Sequence, residues 1–191
     1  MPVKYLITVK QGNLVLAENV DFIVNASNTS LILGSGVSMA FFRHCGQALQ
    51  NQMDELIAEI NHTGYVLKTG DVVPSKAGHA LNFKHALHAV TVDSKQSIYT
   101  HQARSSLDDI GKVLTNIERI IIEYAKLHGK GEISLVLPLL GCGVGGLDKH
   151  EVIAMYGRFF SVYRENTQIT CHCSIYAYSR NDLELLEGVM V

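Results

Sequence analysis

Two glycine-rich stretches hold the residues best suited to chemistry. The first runs from Asn25-Ala26-Ser27-Asn28 to Gly34-Ser35-Gly36-Val37, and the second is Pro138-Leu139-Leu140-Gly141-Cys142-Gly143-Val144-Gly145-Gly146. Glycine lets backbone N–H groups come close to an anion, and a helix starting just beyond adds partial positive charge. Two such turns in one small chain predict a pocket for a ligand with two linked phosphates. The amides of Asn25 and Asn28 both donate and accept, which suits ribose hydroxyls. The plainer alternative is that they bond local backbone and hold the turn. Asn25 lies nearer the preceding strand and is the weaker of the two candidates.

Other constellations are thin. Gly141, Gly143 and Gly146 satisfy Gly-x-Gly-x-x-Gly, yet the acid expected at the end of the next strand is absent, since that strand ends at Ser179-Arg180. No Gly-Lys-Ser/Thr phosphate loop, Gly-x-Ser-x-Gly or His-Glu-x-x-His occurs, and the nine histidines are scattered singly. His85 and His88 fall within an apolar run, where a packed, hydrogen-bonded imidazole is expected. Cys171-His172-Cys173 puts both sulfurs on one face of a strand and the imidazole on the other, without the further ligands of a structural zinc. These thiols read as buried core. Cys142 sits near a helix start that would lower its pKa, but no histidine is close in sequence; it reads as a small residue fitted to a tight loop.

The elements that must position the two turns alternate. Apolar runs at 5–9, 22–25, 133–137 and 169–178 predict strands, and 79–92 predicts one or two more. In the last of these Ala86, His88, Val90 and Val92 share one face, and Leu87 and Ala89 the other. Helices are expected over 37–60 with a break near Cys45-Gly46, over 106–127, over 149–163 and from 182 onward. The clearest of them repeats Ile110, Val113, Leu114, Ile117, Ile120, Ile121 and Tyr124 at three- and four-residue steps, with Ser105 and Asp108 resembling a capping box. Alternation of this kind predicts a layered α/β fold with a largely parallel sheet, whose ligand sits beyond the carboxyl ends of the strands.

At 191 residues, 47% apolar and 18% charged, the chain is expected to form a single domain over 1–191 around one core. A net charge of −2 without a basic run makes nucleic acid a poor partner. No stretch is long and apolar enough to cross a bilayer, and Met1-Pro2-Val3-Lys4 leads into a strand rather than a signal peptide. The four cysteines read as free thiols, and a cytoplasmic location is expected.

These residues resemble the macrodomain family of ADP-ribose-binding modules over nearly the whole chain. Val20-Asp21-Phe22-Ile23-Val24-Asn25-Ala26-Ser27-Asn28 is similar to that family's Val-Asp-x-Ile-Val-Asn-Ala-Ala-Asn signature, and Leu33-Gly34-Ser35-Gly36-Val37 to its Gly-Gly-Gly-Val loop. Leu87-His88-Ala89-Val90 resembles its Ile-His-Ala-Val strand, and the stretch from Pro138 to Gly146 its second phosphate loop. The resemblance implies a three-layer α/β/α fold with a mixed, largely parallel sheet. It implies ADP-ribose, free or as the terminal modification of a protein, with no cofactor and no metal. Gly34, Ser35, Gly36 and Val37 would wrap the distal ribose and pyrophosphate, and Gly141, Cys142, Gly143, Val144 and Gly145 would close over the phosphates. Asn28 would contact the distal ribose and Tyr178 would stack on adenine, with Leu14, Ala26 and Pro138 completing the lining.

Three positions depart from the pattern. Asn13, in Gly12-Asn13-Leu14, replaces the aspartate that meets the adenine amino group and can still accept through its amide oxygen. Ser38 stands where many hydrolytic members carry an aspartate. Gly145 stands where another subgroup carries one, and the lysine of that subgroup is not evident near Val92-Asp93-Ser94. Glycine at 145 also predicts a more open pocket. The reading that follows is an ADP-ribose binder. The alternative is an ADP-ribosyl or O-acetyl-ADP-ribose hydrolase in which Asn28 fixes the distal ribose and a substrate phosphate positions water. A third possibility is an interaction domain with a vestigial pocket.

Overall fold

A computed structural model describes residues 2–95, 104–162 and 166–190. Six strands form one sheet in the order β1-β6-β5-β2-β4-β3. They are β1 (Val3–Gln11), β2 (Val20–Asn28), β3 (Val72–Lys76), β4 (Phe83–Val92), β5 (Glu132–Pro138) and β6 (Ile169–Ala177). All neighbours run parallel except β3, which pairs antiparallel with β4 at the edge. The helices are α1 (Gly36–Cys45), α2 (Gln47–His62), α3 (Leu107–His128), α4 (Lys149–Phe160) and α5 (Arg180–Met190).

Because strand side chains alternate, each strand feeds two cores. On one face Phe22, Val24, Leu87, Ala89, Leu135 and Leu137 meet α3, α4 and α5. On the other, Ile23, Ala86, Val90 and Val136 meet α1 and α2. This is the three-layer α/β/α arrangement with a mixed sheet, and the split of β4 faces follows the alternation in the sequence. The helical stretch is broken at Gly46, whose φ of 74° suits glycine, between α1 and α2.

Several boundaries differ from the sequence reading. Strand β2 continues past Asn25 through Asn28, so Ala26, Ser27 and Asn28 belong to the strand rather than to a turn. Strand β3 has no counterpart in the sequence reading: Pro74 interrupts its signal, and it is an edge strand, where proline is tolerated. The cap of α3 is Ser106, which accepts from the Asp109 N–H, so the Ser105–Asp108 pairing was displaced by one residue. Helix α4 ends at Phe160 rather than running toward Tyr163, which lies outside the described residues. Strand β6 stops at Ala177, and α5 starts at Arg180.

Candidate functional site

The sheet order puts the chemistry in a row. Along the carboxyl edge the strand ends are Gln11, Ala177, Pro138, Asn28 and Val92, for β1, β6, β5, β2 and β4. From β2 the chain turns to α1 on one face, and from β5 it turns to α4 on the other. Between these two neighbours the register covers only Phe22 with Leu135 and Ile23 with Val136 among the described residues, and both strands then run on. Oppositely directed exits from adjacent parallel strands open a crevice at the carboxyl edge.

Asn28 closes the first loop on itself. Its side-chain N–H donates to the Ile32 carbonyl at 3.0 Å, and its Oδ1 accepts from the Ser30 N–H at 3.0 Å. Both of these partners are local backbone. Gln50 of α2 holds the same loop from beneath, accepting from the Leu33 N–H at 2.9 Å and donating to the Leu31 carbonyl at 3.3 Å. Sequence reasoning missed Gln50, which lies in an ordinary helical repeat. Gly34, Ser35 and Gly36 are exposed, Val37 is half-buried, and Ser35 gives α1 no side-chain cap. The start of α1 thus keeps N–H groups that no N-cap side chain engages, directly after the first glycine loop. At the second loop the helix start that was expected to add positive charge is already capped. The Asp148 carboxylate already accepts from the His150 and Glu151 N–H groups at the head of α4.

Ser38 and Asn25 turn away from the crevice into a buried chain of hydrogen bonds. The Ser38 hydroxyl lies 2.8 Å from the Ala26 carbonyl oxygen and 3.0 Å from Asn25 Oδ1. The Asn25 amide donates to His88 Nδ1 at 3.1 Å, leaving His88 Nε2–H to donate to the Ser75 hydroxyl at 2.8 Å. His88 is fully buried, and burial pushes its pKa down to about 3, so it is neutral. The chain ties α1, β2, β4 and β3 together under the first loop.

The second loop is fixed at both ends. The buried Tyr156 hydroxyl donates to the Pro138 carbonyl at 2.8 Å and accepts from the Leu140 N–H at 3.1 Å. The Gly145 carbonyl accepts from the Arg104 and Ser105 N–H groups at 2.7 and 3.1 Å. A Cβ on Gly145 would strike the Ser105 hydroxyl and the Gly141 carbonyl oxygen. This corrects the expected opening of the pocket: the side-chain direction at 145 points into the fold. Gly143 and Val144 are exposed at the tip, while Gly141 is buried. Burial raises the Cys142 thiol to about 11, against a smaller lowering influence of Lys149, so it is no activated nucleophile. Cys171 and Cys173 are fully buried core thiols, with His172 exposed on the other face.

At the far end of the row the Gly12 N–H donates to the Ala177 carbonyl at 3.1 Å, joining the exits of β1 and β6. The Asn13 oxygen accepts from the Val15 N–H at 3.4 Å and caps a short 3-10 turn, Leu14–Leu16, with Leu14 buried. Tyr178 is 93% exposed, a bare aromatic face at the rim. Beyond β4, at the other end, a cavity of about 750 Å³ opens beside Thr29 and Ser94.

The fold defines a class: a three-layer α/β/α protein with two glycine loops at the carboxyl edge of a mixed, largely parallel sheet. A family model described as Macro domain matches residues 24–156, and the chain belongs to that family. An uncharacterized protein of Pyrobaculum aerophilum is 29% identical over 126 residues, 66% of this chain and 59% of the relative. A macro domain-containing protein of Streptomyces coelicolor is 38% identical over 84 residues, 44% of this chain and 47% of the relative. The chain thus spans about half of the length of these curated relatives. Among solved structures, a mutant Oceanobacillus iheyensis macrodomain with ADPR matches at a TM-score of 0.70 and 24% identity, covering 96% of this chain and 91% of that one. A Trypanosoma brucei macrodomain in complex with ADP-ribose matches at 0.66 and 21%, covering 95% and 68%. At these identities the likeness establishes the fold.

Proposed function

We propose that this chain binds ADP-ribose along the row of strand ends, with adenine against Tyr178 and the Asn13 turn. The pyrophosphate then lies between the loops 34–37 and 141–145, and the distal ribose beside Asn28. The observation that carries the reading is the topology, in which β2 and β5 are parallel neighbours whose chains leave toward opposite faces of the sheet. Two glycine loops far apart in sequence therefore leave adjacent strand ends, one of them heading a helix with no side-chain cap. The ADP-ribose and ADPR named for the Trypanosoma and Oceanobacillus macrodomains support the same ligand.

Binding is favoured over hydrolysis by what the side chains near the crevice are doing. The Ser38 hydroxyl is spent on β2, the Asn28 amide on its own loop, and the side-chain direction at 145 faces Ser105. None of these groups is placed to deprotonate water.

Two substitutions test the pocket without disturbing the fold. A Cβ at Gly34 or Gly143 meets nothing within 4 Å, and neither residue needs a positive φ. Gly143→Glu or Gly34→Glu sets a carboxylate against the pyrophosphate. Each is expected to weaken ADP-ribose binding at least 100-fold by calorimetry, with an unchanged melting temperature. Wild-type affinity in both variants contradicts the assignment.

A further inference from the structure

The exits of β1 and β6 lie side by side at one end of the row of strand ends. Gln11 faces Ala177 in the register, and the Gly12 N–H donates to the Ala177 carbonyl at 3.1 Å. Asn13 and Tyr178 thus follow on from neighbouring strands, which lie about 4.8 Å apart, and both residues are exposed. The Tyr178 ring offers a base a stacking face, and stacking does not tell one base from another. The choice of base falls to hydrogen bonds from groups beside the ring.

The polar side chains that follow Tyr178 are committed. The Ser179 hydroxyl accepts from the Asp182 N–H at 3.2 Å, Asp182 receives Lys149 at 2.6 Å, and Arg180 donates to Glu184 at 2.9 Å. The Asn13 amide is committed at one atom only. Its Oδ1 accepts from the Val15 N–H at 3.4 Å, and its Nδ2 has no hydrogen-bond partner among the described residues. Turning the amide round would set its N–H groups against the Val15 N–H, so the oxygen stays with the backbone and the N–H groups remain for a ligand. The oxygen that could accept from an adenine amino group is the one already in use.

An amide reads adenine with both of its polar atoms, accepting from the 6-amino group while donating to N7. A group that only donates suits a 6-oxopurine instead, whose O6 and N7 both accept, as arginine and lysine do with guanine. Against adenine, the free Asn13 N–H groups meet a second donor at position 6.

We infer that Asn13 determines base specificity, and that the site favours a purine diphosphate ribose with an oxygen at position 6 over ADP-ribose. The inference rests on the ADP-ribose reading above, which sets the base against Tyr178 and the Asn13 turn, and it extends the ligand class to 6-oxopurines.

The test compares inosine diphosphate ribose with ADP-ribose by calorimetry, since the two differ only at positions 1 and 6 of the base. The wild-type chain is expected to bind the inosine ligand about tenfold more tightly, the size of one well-matched base contact. Asn13→Asp keeps an oxygen for the Val15 N–H and adds one that only accepts. The order is then expected to reverse, with ADP-ribose about tenfold tighter. Asn13→Ser keeps a cap without the N–H groups and is expected to bring the two ligands within about twofold. Damage to the turn alone would weaken both ligands together and leave their ratio where it was. Equal wild-type affinities, tighter wild-type binding of ADP-ribose, or a ratio unchanged in Asn13→Asp overturns the inference while leaving the site standing. Failure of the wild-type chain to bind either ligand overturns both readings.

Discussion

The Ser105 hydroxyl and the Gly141 carbonyl oxygen leave no room for a side chain at 145. Gly145→Ala is therefore expected to destabilise the protein by about 1–3 kcal/mol, as overpacking does. Gly143→Ala, two residues away in open space, is expected to stay within about 0.5 kcal/mol. Urea unfolding of both variants checks this, and equal stabilities would contradict the packing described for the second loop. The sequence showed that a carboxylate is missing at 145, but the reason lies in contacts that only the fold brings together. Ser105 is similar: its hydroxyl donates to the Thr91 carbonyl, while its neighbour Ser106 caps α3. The buried chain from Ser38 through Asn25 and His88 to Ser75 was half legible. His88 was expected to be packed and hydrogen-bonded, whereas Ser75 sits on a strand that the sequence did not announce.

Strand β2 is held at both ends, and the two ends do different work. Near its start the buried Asp21 receives Lys130 at 2.6 Å, Lys84 of β4 at 2.8 Å and the Ser134 N–H of β5 at 3.0 Å. Burial alone would raise the Asp21 pKa. Hydrogen bonds from Lys130, Lys84 and Ser134 outweigh it and bring the carboxyl down to about 2. A folded pKa below the unfolded value of about 3.9 contributes stability above that value, and the contribution is lost as pH falls toward 2. The expected size at neutral pH is about 2 kcal/mol. The stability gap between the wild type and Asp21→Asn should therefore narrow as pH drops from 5 to 2 in denaturant titrations. A gap independent of pH would show that the three strands are not joined through the ionised carboxylate. At the other end β2 runs on to Asn28, further than its apolar run indicated, because Asn25 finds buried partners in His88 and Ser38. Alternation and periodicity marked five of the six strands, since each carries an apolar run. Strand β3 escaped because Pro74 hides an edge strand whose pairing lies on one side only.

The order of the sheet decides which loops share the carboxyl edge. Motifs in the sequence identified both glycine loops, and the strand–helix alternation implied that they share one edge. That β5 and β2 are neighbours, and that a polar cavity lies beside the exit of β4, come from the fold and not from any local pattern. Membership of the Macro domain family and the fold shared with the Oceanobacillus and Trypanosoma macrodomains agree with this layout. The central claim is the place of the ligand, and backbone amide shifts in a 1H–15N NMR titration with ADP-ribose test it directly. Saturable shifts are expected at 12–14, 34–37, 141–145 and Tyr178, with little change around Asp21 and Lys130 at the opposite edge. Shifts confined elsewhere, or none at millimolar ADP-ribose, would contradict it.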